Sequence, residues 1–149
     1  MTTRNFDALF EPKAIAVIGA SNTPGSLGEV LSRNLLESGF AGPVLPVNPH
    51  AEAVRSSLAY RSVADLPVAP DLAVIATPAP TVPGLIDELG RRGCRAAVVI
   101  TAGFSEPARR QELLDASRPH LLRIVGPNCL GFISPARSIS RTLVPLRNT

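Results

Sequence analysis

A chain of 149 residues is long enough for one domain with a buried core. Hydrophobic residues make up 45% of the chain and charged residues 18%, proportions that indicate a folded globular protein and exclude intrinsic disorder. The net charge of +3 comes almost wholly from scattered arginines, and there is one tyrosine and no tryptophan. A nucleic-acid surface is therefore disfavoured, because it normally needs a basic stripe and often stacking aromatic residues.

The sequence shows no sign of a membrane span, a signal peptide or a disulfide framework. No apolar run approaches the ~20 residues of a membrane span, because proline, glycine or a charge interrupts each one. The N-terminus lacks the basic and then apolar form of a signal peptide, so a cytoplasmic location is expected. Cys94 and Cys129 are too few for a disulfide framework and form no C-x-x-C pair. Both are expected to be reduced thiols, and no metal site is predicted.

The first half of the chain predicts a strand, a helix and a second strand. Residues 14–18 are apolar throughout, as in a strand that is covered on both faces. Apolar residues then recur at helical spacing from Leu27, and Gly39 marks the end of that helix. Residues 43–47 form the next predicted strand. Pro46 makes it short or places it at an edge of the sheet, because proline cannot donate to a neighbouring strand.

Three shorter helical segments are also predicted. Apolar residues of segment 5–10 fall at positions i, i+3 and i+4, which indicates a short helix that ends before Pro12. Residues 51–58 are predicted to form a brief helix, and residues 62–66 a turn or a second brief helix.

The second half of the chain begins with a third strand, at residues 72–76. Residues 77–80, Thr-Pro-Ala-Pro, are not expected to stay helical or to pair regularly. Thr81 is the predicted N-cap of a helix that ends at Gly93.

The same pattern then repeats to the end of the predicted sheet. Residues 96–100 predict a fourth buried strand, residues 106–117 a helix with a weaker apolar face, and residues 122–125 a fifth strand. Strands that alternate with helices pair in parallel through right-handed crossovers. We therefore predict one α/β domain with a doubly wound parallel sheet of about five strands, of the Rossmann type.

The carboxyl ends of parallel strands meet at one edge of a sheet, so the five loops that follow the strands should converge there. The first loop contains Gly19, Gly25 and Gly28 and leads into a helix start, where unpaired N–H groups can bind a phosphate. Ser21 and Ser26 add hydroxyl groups. The alternative is an ordinary strand-to-helix turn in which the glycines serve the geometry alone.

A dinucleotide is the first ligand to consider, because its binding loops have a known sequence fingerprint. The usual fingerprint is G-x-G-x-x-G, followed by an acidic residue at the end of the second strand. Here the first two glycines are too far apart, and the second strand ends in Val47-Asn48-Pro49 without a carboxylate. NAD is therefore disfavoured. A Walker A loop is excluded because no lysine follows Gly25 and the only lysine of the chain is Lys13.

The loops together resemble a known family. Residues 19–28, 47–49, 76–80, 101–104 and 126–131 look like the loops of the CoA-binding domain of NDP-forming acyl-CoA synthetases. The α subunit of succinyl-CoA synthetase begins with the same domain, and a similar one is fused to GNAT protein acetyltransferases. The resemblance implies a CoA-binding Rossmann-like domain at residues 5–145 and a tail at residues 146–149.

The function implied by the resemblance is that of a CoA- or acyl-CoA-binding module that is not catalytic alone. It would be the N-terminal part of an ADP-forming acyl-CoA synthetase or of an acetyltransferase fusion, with further domains or a second subunit as partners. The glycine loop would hold phosphates, residues 48–50 the nucleotide end, and residues 101–103 with Asn128 and Cys129 the thiol end. The implied ligand-binding residues are Gly19, Ala20, Ser21, Gly25, Ser26, Gly28, Asn48, Pro49, His50, Thr77, Pro78, Ala79, Pro80, Thr101, Ala102, Gly103, Asn128 and Cys129.

Two features depart from the family pattern. Related sequences often place a lysine near His50, and a histidine gives a weaker contact to phosphate. The synthetases pass phosphate through a histidine on a later domain that this sequence does not contain, and His50 and His120 are its only histidines. Two other functions therefore stay open: an NAD(P)-binding domain of a dehydrogenase, and a regulatory interaction domain with a vestigial crevice.

Overall fold

Five parallel strands form one sheet in the computed structural model, which describes residues 6–126 of the chain. The seven strands of this region, five of them in that sheet, are β1 (Ile15–Ile18), β2 (Val44–Val47), β3 (Ala53–Val54), β4 (Ser57–Leu58), β5 (Leu72–Ile75), β6 (Ala96–Val99) and β7 (Arg123–Val125). The sheet has the order β2-β1-β5-β6-β7, and β3 and β4 pair with each other in a separate two-stranded sheet. Every residue of β1, β5 and β6 is buried, which explains their unbroken apolar sequences.

Helices cover both faces of this sheet. They are α1 (Phe6–Phe10), α2 (Leu27–Leu36), α3 (Val82–Arg91) and α4 (Pro107–Ser117), with short 3₁₀ turns at Val63–Asp65, Ala79–Thr81 and Arg118–His120. Buried residues of α1 and α2 share one apolar core with one face of the strands, and those of α3 and α4 share a second core with the other face. None of the helices in the described part of the chain is long and apolar enough to cross a membrane.

The chain reverses its direction across the sheet between β1 and β5. It leaves β1 for the edge strand β2 and then returns to pair β5 with the other side of β1. The helices that follow β1 and β5 pack on opposite faces, so their loops diverge and leave a crevice at the carboxyl edge. The predicted doubly wound parallel sheet is confirmed.

Strand β2 lies at an edge, as Pro46 predicts. The Val47 carbonyl faces β1 and accepts from the Gly19 N–H at 3.1 Å. The Pro46 carbonyl faces outward, where it accepts from the Tyr60 N–H at 2.9 Å, and the Tyr60 carbonyl accepts from the Asn48 N–H at 2.9 Å. The N–H that proline lacks would also point outward, so no hydrogen bond between β2 and β1 is lost.

The brief helix predicted at residues 51–58 is wrong, because β3 and β4 form a small hairpin there. Its turn residues, Arg55 and Ser56, have φ values of +48° and +70°, which a helix does not allow. The Asn22 side chain supports the turn from the glycine loop: its amide donates to the Ala53 carbonyl at 2.8 Å, and its oxygen accepts from the Arg55 N–H at 3.2 Å. A contact from a distant loop therefore overrides the local preference.

The start of α3 differs from the prediction in its cap. Residues Ala79–Thr81 form a 3₁₀ turn that runs directly into α3, although the Thr-Pro-Ala-Pro sequence of residues 77–80 predicts no helix. Prolines are tolerated there because the first turn of a helix leaves its N–H groups unpaired. Thr81 is the residue before α3, but its backbone is already helical and its side chain makes no capping bond. Its hydroxyl instead donates to the Pro78 carbonyl at 2.6 Å.

Candidate functional site at the carboxyl edge of the sheet

A cleft of about 500 Å³ lies where β1 and β2 end, and the first turns of α3 form one of its walls. Four residues that the sequence singled out line this cleft, namely Gly19, Pro49, Thr77 and Pro78. They come from the loops after β1, β2 and β5, so three of the predicted loops meet at one place. The lining is mostly apolar, which suits the body of an organic ligand.

Two glycines of the first loop allow the backbone to pack closely. Gly19 has a φ of +92°, and a Cβ there would lie 3.1 Å from Cγ2 of Thr77. Gly28 is buried in the first turn of α2, where a Cβ would lie 1.9 Å from the Gly19 carbonyl oxygen. Gly28 therefore lets α2 approach the end of β1, and that packing explains the residue without any ligand.

The amino terminus of α2 is the part of the loop that can attract an anion. The Ser26 hydroxyl caps the helix: it accepts from the Glu29 N–H at 3.2 Å and lies 2.8 Å from the Thr23 carbonyl, to which it donates. The N–H groups of Leu27 and Gly28 have no acceptor within residues 6–126. These two N–H groups, at the positive end of the helix dipole, are suited to bind an oxyanion.

The other predicted residues of this loop differ in how far they are exposed to solvent. Gly25 is exposed with a φ of +78°, and a Cβ there would meet nothing within 4 Å. The Ser21 hydroxyl accepts from the Thr23 N–H at 3.0 Å. Ala20 is only 1% exposed and packs in the core. Gly25 and Ser21 are thus accessible on the loop surface, whereas Ala20 shapes it from within.

Asn48 ties the loop after β2 to the glycine loop. Its side-chain amide donates to the Ala20 carbonyl at 2.8 Å, and its oxygen accepts from the N–H groups of His50 and Ala51 at 2.7 and 3.1 Å. These bonds orient Pro49 towards the cleft, while His50 is exposed and does not line it. Asn48 therefore acts on the shape of the site through both neighbouring loops.

A hydrogen bond also joins the loops after β5 and β6. The Thr101 hydroxyl donates to the Thr77 carbonyl at 2.7 Å. Gly103 has a φ of +103°, and a Cβ there would lie 3.1 Å from Cβ of Ala79, which is buried. Pro80 and Ala102 are exposed. Asn128 and Cys129 lie outside the described residues.

The cleft also contains residues that the sequence did not single out. Among its described lining residues, Arg61 is the one basic side chain and Glu88, on α3, the one acidic side chain. Ser62 and Gly84 are further examples. The signal for Arg61 is weak in the sequence, because only the bridge between Tyr60 and β2 brings this segment to the carboxyl edge.

Comparison with known proteins decides the family. A family model described as a CoA binding domain matches residues 13–135. The chain belongs to this family.

Curated relatives of this CoA binding domain are much longer proteins. It is 35% identical over 150 residues to the acetate–CoA ligase (ADP-forming) I subunit alpha of Pyrococcus furiosus, an alignment that covers 95% of this chain and 32% of the relative. It is 39% identical over 131 residues to the acetate–CoA ligase (ADP-forming) II of Archaeoglobus fulgidus, with coverage of 85% and 20%. The chain thus spans between a fifth and a third of these relatives.

A solved structure agrees with the fold. The CoA binding domain matches the apo form of dinucleotide forming acetyl-coenzyme A synthetase 1 from Ca. Korarchaeum cryptofilum with a TM-score of 0.89 and 38% identity. The match covers 94% of this chain and 31% of the synthetase. The chain therefore resembles one module of the ADP-forming acyl-CoA synthetases in sequence and in fold.

Proposed function

We propose that this domain binds coenzyme A or an acyl-CoA along the carboxyl edge of its sheet. The observation that carries the proposal is the pair of N–H groups at Leu27 and Gly28 that have no acceptor among the described residues. They belong to a loop whose Gly19 lines an apolar cleft, in a chain of the CoA binding family. CoA combines a pyrophosphate with a long and largely uncharged pantetheine arm. The amino terminus of a helix can bind the pyrophosphate, and an apolar cleft can bind the pantetheine arm.

The predicted residues divide between contact and support in this proposal. Backbone groups of residues 25–28 would bind the pyrophosphate, and Pro49 and Pro78 would contact the nucleotide and the start of the pantetheine arm. Residues 101–103, with Asn128 and Cys129, would lie towards the thiol. Asn48, Ala20, Ala79 and Thr101 would act by shaping the loops, since they are buried or bonded to neighbouring loops.

The domain would serve as one module of a larger ligase system. Its relatives are three to five times its length, so further domains or a second subunit would carry out the chemistry. We take residues 5–145 as the CoA-binding domain, of which the family model matches residues 13–135. A domain of this kind presents CoA and is not catalytic alone.

Isothermal titration calorimetry with CoA, acetyl-CoA and NADH tests the proposal. We expect saturable binding of CoA and acetyl-CoA at one site, and none of NADH, since no carboxylate follows β2 to hold a ribose. Absence of heat and of any thermal shift at millimolar CoA would reject the proposal. Preference for NADH over CoA would favour a dehydrogenase-like site instead.

A matched pair of variants tests the place of the phosphate. Gly25→Asp puts a carboxylate beside the amino terminus of α2, where nothing lies within 4 Å of the new Cβ. Gly25→Asn has the same shape and the same positive-φ backbone without the charge. We expect the Asp variant to bind CoA about tenfold more weakly than the Asn variant, through charge repulsion. Equal affinities would place the phosphates elsewhere.

A further inference from the structure

Arg61 is held at the outer end of the carboxyl edge by the residues on either side of it. Tyr60 forms a parallel bridge with Val47, accepting from Asn48 and donating to Pro46 at 2.9 Å each. On the other side, Val63 is 1% exposed and packs in the core. The backbone of Arg61 therefore has a defined position beside the loop after β2, on the side away from β1.

The Arg61 side chain is free to bind a ligand. It is exposed, lines the cleft with Pro49 and Gly19, and has no hydrogen bond or ion pair with another described residue. Arg92, by contrast, is engaged within the protein, because its guanidinium donates to the Ala64 and Leu66 carbonyls at 3.1 and 2.8 Å. An unpaired guanidinium on a fixed backbone is suited to bind phosphate through two parallel hydrogen bonds.

The position of Arg61 along the edge selects which phosphate it can reach. The carboxyl ends follow the order of the sheet, with the Arg61 segment outside β2, then β2, β1, β5 and β6. The pyrophosphate is assigned to the start of α2, after β1, and the thiol end to the loop after β6. The ribose then lies towards β2, and the 3′-phosphate that it carries in CoA lies at the outer end.

From this order we infer that Arg61 binds the 3′-phosphate of CoA and makes the site selective for CoA over 3′-dephospho-CoA. The inference rests on the proposed function. Glu88 is on the α3 wall of the same cleft, so a dianionic phosphate is repelled from that side and attracted towards Arg61. His50, the residue that the sequence places at this end, is exposed and lines no part of the cleft. Arg61 supplies the cation that this end requires.

The test measures CoA and 3′-dephospho-CoA affinities by calorimetry for the unmodified protein and for Arg61→Ala, Arg61→Lys and Arg95→Ala. Arg95 is the matched control, because it is exposed and lies just before β6, at the opposite end of the strands. We expect Arg61→Ala to weaken CoA binding about tenfold and to leave 3′-dephospho-CoA binding unchanged. Arg61→Lys should be intermediate, since lysine binds phosphate as a point charge. Arg95→Ala should change neither affinity.

The outcomes separate the inference from the proposed function. If the unmodified protein binds CoA and 3′-dephospho-CoA equally well, the inference is overturned while the proposed function stands. If Arg61→Ala weakens both ligands equally, Arg61 contacts another part of the ligand and the 3′-phosphate assignment is wrong. If the unmodified protein binds neither ligand, the proposed function itself fails.

Discussion

Gly28 packs directly against the carbonyl group of Gly19, so that a Cβ on Gly28 would lie 1.9 Å from that oxygen. The contact joins the first turn of α2 to the end of β1 through backbone atoms alone. It makes Gly28 a determinant of the fold, whereas the sequence favoured a role in the approach of a phosphate.

Replacing Gly28 with alanine should therefore destabilise the protein by about 1–3 kcal/mol through overpacking. Gly84 is the control, because it also lies in a helix and a Cβ there would meet nothing within 4 Å. Gly84→Ala should raise stability by up to about 1 kcal/mol through helix propensity. Urea unfolding of both variants measures the difference. A stabilising Gly28→Ala would show that α2 moves away from β1 without cost.

The hairpin turn predicts a stabilising substitution. Ser56 is exposed and has a φ of +70°, a conformation that glycine adopts without strain. Ser56→Gly should raise the free energy of unfolding by about 0.5–1 kcal/mol. Ser57, the next residue, begins β4 without a positive φ, so Ser57→Gly should lower stability by a similar amount. Thermal denaturation distinguishes the two, and equal effects would contradict the argument.

The surroundings of Asp87 predict that the stability of the fold depends on pH. The hydrogen bond from His120, 2.8 Å away, holds the pKa of the Asp87 carboxyl below its usual value of 3.8, with a further contribution from the charge of Arg91. A lowered carboxyl pKa stabilises the fold above pH 3.8, and this stabilisation is lost as the pH falls through the folded-state pKa. Asp87→Asn should thus be less stable than the unmodified protein at pH 6, by an amount that shrinks at pH 3. Urea unfolding at both pH values measures it, and a constant difference would exclude the carboxylate as the cause.

Cys94 is expected to be chemically inert in the folded protein. It is 2% exposed, and burial raises the pKa of its thiol to about 12, so almost no thiolate exists at pH 8. Iodoacetamide at pH 8 should label the peptide that contains Cys94 only after denaturation. Peptide mass spectrometry keeps this label separate from that on Cys129. Rapid labelling of the native protein would mean that the β6 end opens locally.

The predicted strands were found because each is a short apolar run bounded by glycine, proline or polar residues. Their order in the sheet could not be predicted, since it depends on contacts between distant segments. The hairpin at β3 and β4 shows the same limit. Arg55 and Ser56 are not typical residues of such a turn, and Asn22, some thirty residues earlier, supplies the supporting hydrogen bonds.

The candidate site could be predicted in part for a similar reason. Gly19, Pro49, Thr77 and Pro78 follow strands directly, so the convergence of parallel strand ends was enough to bring them together. Arg61 does not follow a strand of the sheet. It reaches the cleft because its neighbour Tyr60 forms a single parallel bridge with Val47 of β2. One such bridge leaves no periodic pattern in the sequence.

Pro46 also limits how molecules of this protein can associate. The outward side of β2 lacks one N–H at Pro46, and the Tyr60 segment already occupies the Pro46 carbonyl and the Asn48 N–H. Around Pro46, a strand of another molecule would therefore find no free backbone groups to pair with, which protects this part of the edge from sheet-to-sheet aggregation. Within the described part of the chain, β7 forms the other edge of the sheet, and no described strand pairs with its outer side.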